Sequence, residues 1–138
     1  MVVVQIGTHQ TTYSLHWYYI WNNMEDFERD PNKTYVVHAK NYKHDVYIGR
    51  PSKWGNPYSH KEGTLAKYKV STRQEAISGY VNHLIETGLM DEIKELKGKI
   101  LGCWCCKAPS DGLEKSFVCH GQVIARILNT HSQAKLFN

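Results

Sequence analysis

The sequence predicts an α/β fold, a small mixed and partly parallel sheet flanked by helices, in a single compact domain over residues 1–138. Three observations carry this. Short β-branched runs alternate with segments of helical periodicity, the pattern of strands linked by helices. The best-marked helix, near 72–87, falls between strand-like segments at 45–49 and 99–105, a crossover that makes those two strands parallel neighbours or near neighbours. The chain's 138 residues, 41% of them apolar, suffice for one core.

Taken in order, VVVQI near the start has the β-branched richness of a buried strand. Residues 12–28 repeat apolar side chains nearly every turn and read as a helix that ends before the Asp30-Pro31-Asn32 turn. TYVVHA (34–39) and DVYIG (45–49) are short strands joined by a polar turn over 40–44. RPSKWGNPYSHKEGT (50–64), with two prolines, is loop. Thr72 and Glu75 form a capping box ahead of Ala76, Ile77, Tyr80, Val81, Leu84 and Ile85 at helical spacing, and Gly88 ends the helix. A short helix near 91–97, capped by Asp91, turns Ile93 and Leu96 inward and stops at Gly98. KILGCWC (99–105) is a strand, 121–129 is the last helix, and the unpatterned tail 131–138 should fray.

Composition excludes several classes. The charge of +4 is spread along the chain, without the dense basic stripe of a dedicated nucleic-acid binder. No run of 18 apolar residues suggests a membrane span, and the opening MVVVQIGTHQ lacks the basic region of a secretory signal. The expected compartment is the cytoplasm (a host's, were the chain viral), where the four cysteines stay reduced.

Function should lie where two unusual segments meet. Arg50 directly follows one strand and Cys105 ends another; if those strands are parallel, both loops leave the same carboxyl edge of the sheet, where open α/β sheets bind ligands. Arg50 is suited to clamp a phosphate, with Ser52 and Asn56 beside it, and Trp54 to stack on a base. Arg73 occupies a first helical turn, an unfavourable place for a cation, and so invites a carboxylate or a bound anion. The backbone at Gly121 would add N–H donors.

All four cysteines lie between 103 and 119. Cys119 just precedes the last helix, whose dipole favours a thiolate, and His120 beside it could move a proton; together they form a candidate catalytic pair. Cys103, Cys105, Cys119 and His120 are chemically suited to zinc, but their spacing is not that of a zinc finger, and no metal is the favoured reading. Inert thiols packed in the core are the third possibility.

The runs VYIGRPSKWGNPY, STRQEAISGY, LKGKILGCWC and CHG before an apolar helix resemble, in order, the family called domain of unknown function 4326, found in bacteria, phages and some large viruses. The resemblance covers about residues 34–130 and leaves 1–33 as an N-terminal extension. It implies that Arg50, Trp54, Gly55, Asn56, Pro57, Arg73, Tyr80, Gly98, Cys103, Trp104, Cys105, Cys119, His120 and Gly121 occupy recurrent family positions. Two features depart from the family pattern: the link SDGLEKSF is longer, and Gln122 stands where relatives usually carry an acid. The resemblance implies a shared fold and pocket and specifies no reaction. The function expected is binding of a phosphate-bearing small molecule, a nucleotide or nucleotide derivative, without a cofactor. The alternatives are an enzyme acting on such a ligand through Cys119 and His120, and an interaction module with no ligand.

Overall fold

A computed structural model describes residues 27–64 and 66–130. The strand expected at VVVQI, the helix expected at 12–28 (apart from 27 and 28, which are not helical) and the tail 131–138 lie outside these. The described elements are β1 (Tyr35–His38), β2 (Val46–Tyr47), β3 (Tyr58–Ser59), β4 (Tyr68–Lys69), helix α1 (Arg73–Glu86), two 3₁₀ turns (Leu89–Asp91 and Ile93–Leu96), β5 (Ile100–Cys103) and helix α2 (His120–Thr130).

The main sheet has the order β1-β5-β2, with β5 parallel to both neighbours. The parallel relation expected between the strands near 45–49 and 99–105 is thus direct pairing, Val46 opposite Leu101 and Tyr47 opposite Gly102. The strands expected to be joined by the turn at 40–44 do not pair with each other, because β5 inserts between them. Val36, Val37, Ile48 and Leu101 are fully buried, as befits a parallel sheet covered on its faces. Within the segment expected to be loop, Tyr58–Ser59 pairs with Tyr68–Lys69 as a second, two-stranded sheet.

Helix α1 carries the expected capping box: the Glu75 N–H donates to Thr72 Oγ1 at 3.1 Å, and the Thr72 N–H donates to Glu75 Oε1 at 3.0 Å. Ala76, Ile77, Tyr80 and Leu84 face the core, whereas Ile85, expected there, is exposed. Gly88 follows with φ of +82°, a left-handed conformation that glycine adopts without strain. The segment expected as a short helix forms two 3₁₀ turns, which still bury Ile93 and Leu96.

Helix α2 packs on β1 and β5, and α1 packs on α2. The close approach of α2 needs Gly121: a Cβ there would stand 2.6 Å from Val36 Cγ2 and 2.8 Å from Ile48 Cδ1. No helix among the described residues is long and apolar enough to cross a membrane.

Candidate functional site

A cleft of about 730 Å³ opens at the carboxyl edge of the main sheet, within the range of about 300–1,000 Å³ typical of small-molecule sites. Its walls come from the segment after β2, the β3 region, the start of α1, the segment after β5 and the start of α2. The parallel register causes this convergence, since the chain leaves β2 and β5 on the same side.

The segment after β2 is braced from within. The Ser52 N–H donates to Gly49 O at 2.8 Å and the Gly55 N–H to Ser52 O at 3.0 Å. Asn56 Nδ2 donates to Ala76 O at 3.0 Å, and its Oδ1 accepts from the Tyr58 N–H at 3.0 Å. Arg50 Nη1 donates to Asn56 O at 2.7 Å, which fixes the guanidinium at the cleft wall while leaving other N–H groups for a ligand. Asn56 also lines the cleft, but its side chain is spent on the backbone.

Two expectations in this segment need correction. Trp54 is 3% exposed and belongs to the core; its carbonyl accepts from Tyr80 Oη at 2.7 Å, and its ring does not line the cleft. An amphipathic indole in a tight loop gains more from burial than from exposure. Ser52 is likewise absent from the cleft lining, and its Oγ is buried without a hydrogen-bond partner among the described residues. The aromatic that does line the cleft is Trp104, 57% exposed, with Nε1 donating to Tyr47 Oη at 2.8 Å. Sequence reasoning assigned Trp104 no role. The strand expected over 99–105 ends at Cys103, so alternation does not place Trp104: Cys103 is buried and Cys105, two positions on, is exposed.

The cations define the electrostatics. Arg50, Lys61, Arg73 and Lys107 line the cleft, together with His60 and His120, and no Asp or Glu among the described residues does. Arg73, at the first position of α1, makes no ion pair among the described residues. Lys61 and Lys107 lie within the two unusual segments but were passed over, because a single lysine in a polar loop reads as a solvated surface residue.

The thiols meet at the same edge, as expected from β5 ending opposite the start of α2. Cys119 lies beside Cys103 and Cys105, and the three thiols act on one another. Cys103 and Cys119 are buried and Cys105 is exposed; Cys105 and Cys119 both line the cleft. The neighbouring Cys119 thiol draws the Cys105 thiol down to about 6 against a partial desolvation cost, helped by Lys61, Arg73 and Arg50. Cys119 moves the opposite way: the thiols of Cys103 and Cys105, then burial, push it well above the ordinary thiol range. The sequence expectation of a Cys119 thiolate favoured by the helix terminus is therefore reversed. The Gly121 N–H does point at Cys119 Sγ, at 3.3 Å, but two neighbouring sulfurs outweigh it. Cys106 faces away; its thiol bonds Ala108 O at 3.1 Å, and burial raises it to about 12.

His120 is 8% exposed, and its Nε2 bonds Ile48 O at 2.8 Å, so the neutral ring donates there. Burial lowers its pKa to about 4. Its Nδ1 is 3.9 Å from Cys119 Sγ. Gly121 is buried and outside the cleft lining, with its N–H turned to Cys119 and not to a ligand. As for zinc, His120 Nε2 is committed to the Ile48 carbonyl, and no group of three or more His, Cys, Asp or Glu among the described residues is placed to hold a metal ion.

Gln122, at the position where the family resemblance implies an acid, closes the cap of α2. Gln122 Oε1 accepts from the N–H groups of Val118 at 2.6 Å and Cys119 at 3.0 Å, and Nε2 donates to Ser110 Oγ at 3.2 Å. With the Gly121 N–H on Cys119 Sγ, the side chains at 119 and 122 together cap the start of α2. Glutamate and glutamine fill that role alike, so Gln122 removes no acid from the cleft, whose lining does not include it.

Fold and cleft together define a small α/β domain with a cationic cleft at the carboxyl edge of a parallel sheet. The chain belongs to the family described as Domain of unknown function (DUF4326), whose model matches residues 32–130. It is similar to the uncharacterized protein R718 of Acanthamoeba polyphaga mimivirus, 32% identical over 93 residues. That match covers 60% of this chain, and the chain spans 65% of that relative's length. No solved structure matches.

Proposed function

We propose that the protein binds a phosphate-bearing small molecule, a nucleotide or nucleotide derivative, in this cleft. The observation that carries the reading is the separation of charge: Arg50, Lys61, Arg73 and Lys107 line a cavity that no carboxylate among the described residues lines. Arg50 and Arg73 offer planar, multidentate donors for phosphate oxygens, and Lys61 and Lys107 add diffuse attraction. Trp104 takes the stacking role expected of Trp54, because its indole is the exposed one.

Thermal shift against nucleotides, dinucleotides and inorganic phosphate tests this. A ligand at 100 times its Kd should add about 2.7 kcal/mol of stability. Arg73→Ala should weaken every phosphate-bearing ligand about tenfold, the loss of one charge-assisted contact of roughly 1.5 kcal/mol. Trp104→Ala should weaken nucleotides and leave inorganic phosphate unchanged. A flat response across the whole set would defeat the proposal and favour an interaction module. An enzyme acting through Cys119 and His120 draws less support, since one is a protonated thiol and the other a neutral ring tied to Ile48 O.

A further inference from the structure

We infer that Tyr47 is a positioning residue of the cleft: its hydroxyl ties the indole of Trp104 to the backbone of Arg50, so that the site takes a nucleoside phosphate by its base and its phosphate at once. The inference rests on the nucleotide reading above and names the group that sets that site's specificity.

Tyr47 ends β2 opposite Gly102, and its ring leans along the chain over Gly49. Only glycine fits beneath it, since a Cβ at 49 would stand 2.3 Å from Tyr47 Oη and 2.6 Å from its Cζ. In that place the hydroxyl serves as donor and as acceptor. It donates to Arg50 O at 3.0 Å and accepts from Trp104 Nε1 at 2.8 Å. One oxygen thus joins the segment after β2 to the segment after β5, at the cleft that Arg50 and Trp104 both line.

The indole is held by ring contacts as well. It meets Tyr47 at 6.5 Å and His38 at 5.5 Å between centroids, with interplanar angles of 70° and 85°, the edge-to-face geometry that aromatic rings prefer. His38 is itself fixed, its Nδ1 accepting from the Lys40 N–H at 3.2 Å. Arg50 is held at its other end, Nη1 donating to Asn56 O at 2.7 Å. Trp104 nevertheless stays 57% exposed. An indole so restrained at the surface gives the fold little burial and gives a ligand a stacking face already ordered, at a set distance from a guanidinium. Ordering one such side chain on binding costs about two- to tenfold in affinity, and the Tyr47 hydroxyl removes that loss. A base on Trp104 and a phosphate on Arg50 then bind together, whereas a ligand with one of these parts uses half the arrangement.

Calorimetric titration with the common ribonucleoside 5′-monophosphates, adenosine and inorganic phosphate tests this. At least one monophosphate should bind about tenfold tighter, or more, than phosphate or adenosine, the worth of one stacked base. Tyr47→Phe removes one oxygen and keeps the ring; it should weaken that monophosphate about fivefold and leave inorganic phosphate within about twofold. In a Trp104→Ala background the same change should cost nothing further, because Tyr47 acts through Trp104. Labelling with 5-fluorotryptophan gives a readout without ligand. The fluorine resonance missing from Trp104→Phe identifies residue 104, and Tyr47→Phe should move that resonance while leaving those of the other tryptophans in place. Equal losses for phosphate and monophosphate, additive losses in the double variant, or an unmoved Trp104 resonance would each overturn the inference and leave the nucleotide reading standing. Wild-type protein that bound nothing in the set would remove both.

Discussion

His120 shows how one buried side chain sets a pH limit. Its pKa is about 4 in the fold against 6.5 for the free group, so the folded state resists the proton. Above pH 6.5 both states hold a neutral ring and stability does not change on its account. As pH falls from 6.5 towards 4 the unfolded chain binds a proton that the fold refuses, and stability drops by up to about 3 kcal/mol. Urea unfolding of the protein and His120→Gln at several pH values should show that part of the slope vanish in the variant; parallel curves would refute it. The two tryptophans make a second pair at this scale. Trp54→Ala opens a core cavity and should cost about 3–5 kcal/mol. Trp104→Ala, at an exposed position, should leave the unfolding midpoint nearly in place and act only on ligand affinity.

The start of α2 is held by a cap that uses side chains in an unusual combination. Gln122 Oε1 serves two N–H groups, at 118 and 119. Gln122→Ala leaves both without that acceptor in a buried corner and should lower stability by about 1–3 kcal/mol. Gln122→Glu keeps the acceptor at a helix N-terminus and should lose clearly less; equal losses in denaturant unfolding would show that the cap is not the reason for glutamine here. Gly121→Ala tests the packing of the same helix. Its Cβ would press on Val36 and Ile48, an overpacking of about 1–3 kcal/mol.

For the molecule as a whole, the described ion pairs and the cleft cations belong to different regimes. Lys53–Glu92, Lys53–Glu95, Lys69–Glu62 and Lys33–Asp111 lie at the surface and are screened easily. The four cleft cations act together in a concavity, where potentials add. Raising sodium chloride from about 0.05 to 0.5 M should therefore weaken phosphate-ligand binding severalfold while barely moving the unfolding midpoint. Loss of both together would place the salt effect on the fold and not on the cleft.

The sequence by itself determined the local features: the Thr72–Glu75 cap, the inward face of α1, the stop at Gly88, the buried Ile93 and Leu96, and the strand pair whose shared direction put Arg50 and Cys105 at one edge. Each follows from side-chain period or backbone preference over a few residues. Tertiary structure decided what those rules do not reach. Which tryptophan was buried depended on whether the core had room beneath the segment after β2 or beyond the end of β5. Ile85 fell outside because α1 meets the core along a narrower stripe than its apolar spacing allows. The order of acidity of the thiols was settled by neighbours up to 16 positions away in the chain: Cys105, exposed and near Lys61, Arg73 and Arg50, is drawn down, and the buried Cys119 is pushed up. Proton affinity depends on solvent and on neighbouring charge, and both are properties of the folded arrangement and not of the order of residues.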